Sequence, residues 1–91
     1  MEITFDEVKN RRNIRLRGLS FERVADFEFE TALFEEDDRF DYGETRYRVL
    51  GYLDGRLHAP VLTEQQRGIR VISLRKATKS EVKGYEQQTN R

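Results

Sequence analysis

Cysteine is absent from this chain of 91 residues, histidine and proline occur once each, and the apolar runs span only a few residues. Without cysteine the chain forms neither disulfides nor thiolate metal sites, and a reducing cytosol is the expected compartment. One histidine cannot build a zinc site by itself. The short apolar runs exclude a transmembrane helix, and the amino terminus lacks the pattern of a secretory signal. We therefore expect a cytoplasmic protein with no metal, cofactor or membrane segment.

Charged residues make up 37% of the chain and apolar residues 36%, a balance near the border of disorder, but ten aromatic residues favour folding. At this length we expect one domain over residues 1–91 with a small core. The net charge is zero, yet residues 26–44 hold nine acidic and one basic residue, and residues 65–91 hold seven basic and two acidic. The basic end predicts a polyanionic ligand, and the acidic stretch predicts a basic partner or an internal counterweight, unless the segregation arose by chance.

The first third of the chain predicts a short strand and two helices. Residues 2–5 are β-like, and Asp6 is placed to cap a helix that runs to about Arg17. Gly18 ends that helix in the left-handed conformation, and Ser20 caps a second helix. The first helix has few apolar side chains, so we expect a narrow packing contact. No carboxylate follows Glu7 in this helix to form i,i+4 pairs with its basic side chains, which are Lys9, Arg11, Arg12, Arg15 and Arg17.

The middle of the chain predicts a hairpin. Residues 45–53 alternate between two faces, and Asp54-Gly55 is a strong signal for a two-residue turn. The return strand is expected over residues 56–64. Pro60 removes a hydrogen-bond donor from it, so this strand requires an edge position or a bulge.

The remaining segments complete an α+β pattern. The acidic residues 35–38 are expected in a loop or at an exposed edge, because four adjacent like charges cannot sit in a core. Residues 68–77 read as the central strand around which the sheet is organised. A capping box from Thr78 to Glu81 opens a last helix that runs to about Gln87. The predicted fold class is α+β: an antiparallel meander with two amino-terminal helices and a short carboxy-terminal helix.

The chain lacks the residues that most catalytic mechanisms require. The glycines have neither phosphate-loop nor dinucleotide spacing, no cysteine nucleophile exists, and no nucleophile-elbow motif surrounds a serine. One sheet face remains as a candidate site. Its expected members are Arg46, Arg48, His58 and Glu64, to which the strand register adds Arg70 or Arg75.

Such a face can cleave RNA without a metal. The ribose 2′-hydroxyl attacks its own phosphate, so the protein must position the strand, move two protons and stabilise charge on the phosphate oxygens. Arginines suit the last role, His58 or Glu64 the role of base, and Tyr85 or a lysine that of donor. In the alternative interpretation the arginines pair with Glu44 and Glu64, and His58 is an ordinary surface residue.

Several short pieces, in their order and spacing, resemble one toxin family. They are Phe5-Asp6 with Lys9 and Asn13, Gly18-Leu19-Ser20-Phe21, Asp41-Tyr42-Gly43-Glu44 with Arg46, Gly55-Arg56-Leu57, and Arg70-Val71-Ile72-Ser73-Leu74-Arg75-Lys76-Ala77 with Glu81 and Tyr85. Together they resemble the BrnT family of toxins from type II toxin–antitoxin systems over nearly the full length. Pro60 departs from the family pattern, as either a natural bulge or a change that attenuates activity.

The resemblance implies a RelE-like fold and a metal-free endoribonuclease that halts translation. It also implies neutralisation by a BrnA-type antitoxin, which resembles a ribbon-helix-helix DNA-binding protein. The two chains are then expected to form a heterotetramer that represses its own operon. Operator DNA would be contacted only through the antitoxin.

The resemblance also implies site residues by position. The catalytic candidates are Glu44, Arg46, Arg70, Arg75 and Lys76, with acid and base unassigned. The candidates for RNA binding are Lys9, Asn13 and Tyr85, and the sheet face adds Arg48 and His58. Two other functions stay open: a non-catalytic module whose basic face meets an acidic partner, and a nucleic-acid binder without turnover.

Overall fold

The computed structural model describes residues 1–89, which form a six-stranded sheet flanked by helices. The strands are β1 (Glu2–Phe5), β2 (Leu33–Asp37), β3 (Arg46–Leu53), β4 (Arg56–His58), β5 (Val61–Gln65) and β6 (Gly68–Ser73). The helices are α1 (Glu7–Arg17), a first 3₁₀ helix (Phe21–Asp26), a second 3₁₀ helix (Phe29–Thr31) and α2 (Lys79–Thr89). The expected α+β class is confirmed. Of the predicted polar tail, residues 88 and 89 belong to α2, and residues 90 and 91 lie outside the described residues.

The sheet is mixed, with the strand order β1-β6-β5-β3-β2, and β4 pairs with β3 beyond the end of β5. The pairs of β3 with β2, β4 and β5, and of β5 with β6, are antiparallel, but β1 pairs with β6 in parallel. The predicted antiparallel meander is wrong in this respect. One edge of β6 pairs with β5, and the backbone amide and carbonyl groups of the other edge also need partners. Strand β1 supplies these partners by pairing in parallel.

The segment predicted as a second helix is a short 3₁₀ helix. The predicted cap is present, since the Ser20 hydroxyl accepts a hydrogen bond from the Glu22 amide at 3.2 Å. Phe21, Val24 and Phe27 are all buried. In a 3₁₀ helix, which has three residues per turn, side chains three positions apart lie on one straight line along the helix. In an α-helix, which has 3.6 residues per turn, the same side chains would turn progressively away from the core. The prediction of two amino-terminal α-helices is therefore wrong.

The core lies on one face of the sheet, beneath the first 3₁₀ helix. Its members are Phe21, Val24, Phe27, Val49, Leu53, Leu62, Val71 and Leu74. The alternation predicted for residues 45–53 is confirmed, because Val49 and Leu53 are buried and the residues between them are only partly so, Gly51 excepted. Gly51 faces the core, where an added Cβ would overlap with the Phe27 ring.

The hairpin has the predicted turn, but its second strand is divided. Asp54 and Gly55 have φ angles of 53° and 74°, as the two central residues of a type I′ turn require. The return strand ends at His58 and resumes as β5 at Val61, and Pro60 between them cannot donate to a ladder. The register of β5 against β6 shifts directly after Pro60. The expected irregularity is confirmed, whereas one continuous strand over residues 56–64 is wrong.

Two asparagines attach α1 to the rest of the chain. Its predicted limits are confirmed by the caps at Asp6 and Gly18. The buried Asn10 Oδ1 accepts a hydrogen bond from the Phe21 amide at 2.7 Å, and the Asn13 Nδ2 donates to two carbonyl groups at 2.9 Å each. The apolar side chains of α1 that face solvent are Val8, Ile14 and Leu16. The expected apolar contact is therefore replaced by polar ones.

Replacing Gly68 by alanine is expected to destabilise the fold by about 1–3 kcal/mol, the usual cost of overpacking. An added Cβ would overlap with the backbone of Glu2 in the paired strand β1. Gly84→Ala is the matched control, because it lies inside α2 with open space around an added Cβ. That change should stabilise the protein by about 0.5–1 kcal/mol. Urea unfolding measures both; a Gly68→Ala chain as stable as the parent would contradict the pairing of β1 with β6.

Candidate functional site

Four arginines share the sheet face opposite the core. We call them the arginine face: Arg46, Arg48, Arg70 and Arg75. Arg46 on β3 pairs with Thr63 on β5, and Thr63 pairs with Arg70 on β6. Paired residues of neighbouring strands point to the same side, so Arg46 and Arg70 lie in one row, with Cα atoms roughly 10 Å apart at the usual strand spacing.

A bulge in β6 brings Arg70 and Arg75 to the same face. Their odd spacing would put them on opposite faces of a regular strand. Val61 and Leu62 pair with β6 residues that are two positions apart, so Ile72 between those positions has no partner on β5. The alternation of β6 is inverted beyond this point. The sequence left open which of the two arginines joins the face, and the structure places both there.

Arg46 is oriented by a carboxylate and an aromatic ring. Its Nε donates to the Glu44 Oε2 at 3.1 Å, and its guanidinium carbon lies 4.0 Å from the centre of the Tyr42 ring. The second contact is a cation–π interaction, which favours a fixed position over the ring. Both partners come from the turn just before β3. The arginine side chain is still 25% exposed, so a ligand can reach it.

Arg48 and Arg75 line a groove of about 500 Å³ between α2 and the edge of the sheet. Arg48 pairs with Glu35, and Arg75 donates two hydrogen bonds to Glu81 at 2.7 and 3.1 Å. The two arginine side chains are 41% and 40% exposed, so water weakens both ion pairs. The buried Arg48 Nε has no hydrogen-bond partner among the described residues, which leaves one donor of the groove unsatisfied.

Arg70 forms no salt bridge with any residue of the described range. It is half-buried on β6. The hydrogen bond from the Lys9 amide is the main cause of the lowered pKa of Asp6, and the positive charge of Arg70 adds to the effect. The start of α1, with the exposed Lys9, therefore lies at the Arg70 end of the arginine face.

The acidic residues 35–38 supply a buried carboxylate beside the arginine face. The run enters the edge strand β2, one of its two expected placements, and Asp37 pairs with Arg46 across β2 and β3. Asp37 accepts hydrogen bonds from Arg39 at 2.8 and 2.9 Å and from the Tyr42 hydroxyl at 3.3 Å. These bonds, those from Arg39 foremost, hold the pKa of Asp37 well below its usual range. The predicted edge position is confirmed, and Asp37 alone of the four is buried, because Arg39 compensates its charge.

His58 and Glu64 lie on the core side of the sheet. The hairpin places His58 opposite Gly51, and Glu64 is opposite Ile69, which packs against the core. His58 is only 4% exposed. The expectation that both residues share a face with Arg46 is wrong. A two-residue turn puts the even-numbered residues of the return strands opposite odd-numbered residues of β3.

Three further candidates either lie outside the arginine face or have side chains that are committed to structural hydrogen bonds. Lys76 is exposed, and its backbone forms an isolated antiparallel β-bridge with His58. This pairing places Lys76 on the opposite side of the sheet from the arginines. Tyr85 is buried and lines the groove with Arg48 and Arg75, but its hydroxyl donates to the Thr31 carbonyl at 2.7 Å and so attaches α2 to the second 3₁₀ helix. The side-chain amide of Asn13 is committed to the two carbonyl groups that hold α1.

Sequence reasoning missed the group that supports Arg46. Tyr42 contacts the guanidinium, and Asp37 with Arg39 fixes the Tyr42 hydroxyl. The two-residue spacing of Asp37 and Arg39 is a usable signal, because such residues point to one side of an extended chain. The stacking of Tyr42 on Arg46 across a glycine turn has no signal of its own in the sequence.

The arginine face offers four cations, and carboxylates contact three of them; Glu44, which contacts Arg46, has a side chain that is 39% exposed. Such a set can bind phosphate groups and accept a proton. Among residues 1–89, no group of three or more histidine, aspartate or glutamate side chains is arranged to hold a metal ion. None of the helices of the described chain has the length and apolar character needed to cross a membrane.

Arg75→Ala is expected to raise the pKa of Glu81, which Arg75 lowers to about 2 from an ordinary value of 4.5. Because the folded pKa is depressed, the pair stabilises the protein above pH 4.5, and this contribution is lost as the pH falls toward 2. The variant value should stay somewhat below 4.5, since the Thr78 amide still donates to Glu81. Carbon-13 NMR titration of the carboxyl group measures the change; an unmoved pKa would rule out Arg75 as the cause.

Comparison with known proteins assigns the chain to a family. Among curated proteins, none matches this sequence. One family model, described as a ribonuclease toxin, BrnT, of type II toxin-antitoxin system, matches residues 5–81. The matched range contains all four members of the arginine face and most of the described chain. The chain therefore belongs to the BrnT family of ribonuclease toxins of type II toxin–antitoxin systems.

Proposed function

We propose that this chain is the toxin of a type II toxin–antitoxin pair and that it cleaves RNA on the arginine face. The observation that carries the proposal is the row in which Arg46 and Arg70 lie on either side of Thr63. A guanidinium is a planar, forked donor that binds two oxygens of one phosphate. Two guanidiniums on strands, rather than on loops, can hold a phosphate while its geometry changes.

The proposed reaction is attack of a ribose 2′-hydroxyl on the adjacent phosphorus, which breaks the bond to the 5′-oxygen of the next nucleotide. The products are a 2′,3′-cyclic phosphate and a 5′-hydroxyl. Glu44 accepts the proton of the attacking hydroxyl, because it is the exposed carboxylate held against Arg46. Arg46 and Arg70 stabilise the charge that grows on the phosphate oxygens. The leaving oxygen takes its proton from water, and the proposed step uses no metal.

The groove positions the RNA strand next to the reacting phosphate. Arg48 and Arg75 lie along it, each paired with a partly exposed carboxylate. Exposed ion pairs of this kind contribute little, whereas a bidentate phosphate contact is strong, so neighbouring phosphates can replace the carboxylates. Lys9 extends the positive surface at the opposite end, near Arg70.

The wider proposal follows from family membership and from the resemblance in the sequence. RNA cleavage by this chain halts translation in the cytoplasm, on a RelE-like fold. A BrnA-type antitoxin of the ribbon-helix-helix class neutralises it in a heterotetramer, and the complex reaches operator DNA through the antitoxin.

A binding role without catalysis has one observation in its favour. Three of the four arginines contact carboxylates within the chain, as they would in contact with an acidic partner. Arg70 is the exception, because no carboxylate of the described chain forms a salt bridge with it. The binding role gives no reason for Arg70 and Arg46 to lie in one row, whereas a bound phosphate does. Cleavage assays separate the two functions, because a binder retains RNA without shortening it.

Arg46→Ala and Arg70→Ala are each expected to slow RNA cleavage by about 10²- to 10³-fold, the usual loss when a group that stabilises transition-state charge is removed. The assay is cleavage of a synthetic RNA by the purified chain, together with growth arrest after induction. Arg23→Ala is the matched control, because Arg23 is similarly exposed and paired with Asp54 outside the arginine face. Folded Arg46 and Arg70 variants that cleave as fast as the parent would disprove the assigned roles.

RNA affinity is expected to depend on salt through the arginine face. Each phosphate contact with a single strand adds about −0.7 to the slope of log K against log salt concentration. Replacing Arg48 or Arg75 by alanine should therefore make the slope shallower by about 0.7 each. Fluorescence anisotropy with an oligonucleotide that carries 2′-deoxy sugars measures this, because the missing hydroxyl prevents cleavage. Equal slopes for the parent and the variants would show that the RNA phosphates do not contact Arg48 or Arg75.

A further inference from the structure

An apolar cleft of about 370 Å³ opens on the core side of the sheet, away from the arginine face. Tyr47, Leu62 and Ile69 form its floor, and Phe29 and Phe34 form one wall. The two phenylalanine rings stack with centroids 6.4 Å apart. Phe34 is 54% exposed, although its ring stacks on that of Phe29. The cleft is thus an apolar surface that the chain does not itself cover.

The cleft exists because the element that covers the core is short. The first 3₁₀ helix has six residues and spans roughly 12 Å, whereas β3 has eight residues and spans roughly 27 Å. The helix covers the end of the face that carries Val49 and Leu53. The other end, at Tyr47 and Ile69, stays half-buried and open to the cleft.

Two glutamates stand at the rim of the cleft. Glu36 pairs with Tyr47 and so shares its face, and Glu64 lines the cleft directly. Both are exposed, and neither is in a salt bridge with any described residue. Glu36 belongs to the strongly acidic residues 26–44. An apolar floor with an acidic rim is complementary to an amphipathic segment whose apolar anchors are flanked by lysine or arginine.

We propose that this cleft is the anchor site for the antitoxin, which inserts apolar side chains against Phe34 between basic residues that meet Glu36 and Glu64. The inference rests on the proposed toxin function, which supplies a protein partner for the chain. The arginine face has the opposite character, positive and polar, and matches RNA. Partner and substrate therefore use opposite sides of one sheet.

The edge strand β2 connects the two sides. Phe34 and Glu35 are neighbours in β2 and point to opposite faces, the first to the cleft and the second to Arg48. A segment anchored at Phe34 can thus cross the free edge of β2 and reach the groove. Neutralisation follows from this geometry, because the same segment that binds in the cleft then covers Arg48.

The test compares Phe34→Asp with Leu16→Asp, which changes an exposed apolar residue on α1 that does not line the cleft. Calorimetry with the purified antitoxin encoded beside this chain should give a dissociation constant at least about 30-fold weaker for Phe34→Asp. Leu16→Asp should stay within about twofold of the parent. In cells, co-expressed antitoxin should rescue growth for the parent and for Leu16→Asp but not for Phe34→Asp. Antitoxin binding by Phe34→Asp at the parent affinity would overturn the inference.

A second pair of variants keeps the test decisive if Phe34→Asp unfolds. Glu64→Lys reverses one rim charge, and Glu86→Lys reverses an exposed charge on α2. We expect about tenfold weaker antitoxin binding at low salt for Glu64→Lys only, with the difference reduced at high salt. Equal affinities for the two variants would remove the acidic rim from the interface and overturn the inference.

RNA cleavage by the free variants separates this inference from the proposed function. Glu64→Lys should cleave RNA like the parent, because Glu64 is on the other side of the sheet from Arg46 and Arg70 and, unlike Phe34, does not line the groove. A parent chain that cleaves no RNA, combined with loss of antitoxin binding in Phe34→Asp, would reject the ribonuclease proposal and keep the docking site. Full RNA cleavage by the parent chain, combined with unchanged antitoxin binding by Phe34→Asp, would keep the ribonuclease proposal and reject the docking site.

Discussion

In β6, Ile72 has no partner on β5, and this unpaired residue inverts the alternation of the strand beyond it. A regular β6 would send Arg70 and Arg75 to opposite sides of the sheet. With the bulge, both lie on the face of Arg46 and Arg48, so the groove under α2 and the row across the strands share one face of the sheet. Pro60 precedes the shift directly, so the residue that interrupts the hairpin strand stands beside the bulge that assembles the site.

The two faces of the sheet carry different chemistry within a chain of zero net charge. The arginine face is held by carboxylates and by the Tyr42 ring, which orient the guanidiniums without burying them. The other face is covered over half its length by a six-residue 3₁₀ helix and ends in an apolar cleft. A short covering element keeps the core small, and the uncovered half is available to a partner. Cationic side chains therefore lie on one face of the scaffold, and the uncovered apolar half lies on the other.

Local signals predicted the elements that depend on neighbouring residues. Asp6 and Gly18 delimit α1, Asp54-Gly55 makes the turn, and Thr78 caps α2, because caps and tight turns are decided by a few dihedral angles and hydrogen bonds nearby in the chain. Contacts between distant segments were not readable in this way. The parallel pairing of β1 joins residues more than sixty positions apart. Asn10 and Asn13, which attach α1, resemble ordinary helix-surface residues until their carbonyl and amide partners are known.

The sequence by itself determined the α+β class, the family, the alternation of β3 and the presence of arginines at Arg46, Arg48, Arg70 and Arg75, since these follow from composition and short-range pattern. Only the tertiary structure decided which of the candidate residues share a face. In the structure His58 and Lys76 lie on the opposite side of the sheet from the arginine face, and the Tyr85 hydroxyl is hydrogen-bonded within the chain. Arg70 and Arg75 lie on the same face. The physical reason is that side chains alternate along a strand, so a single turn length or one unpaired residue changes the face of everything beyond it.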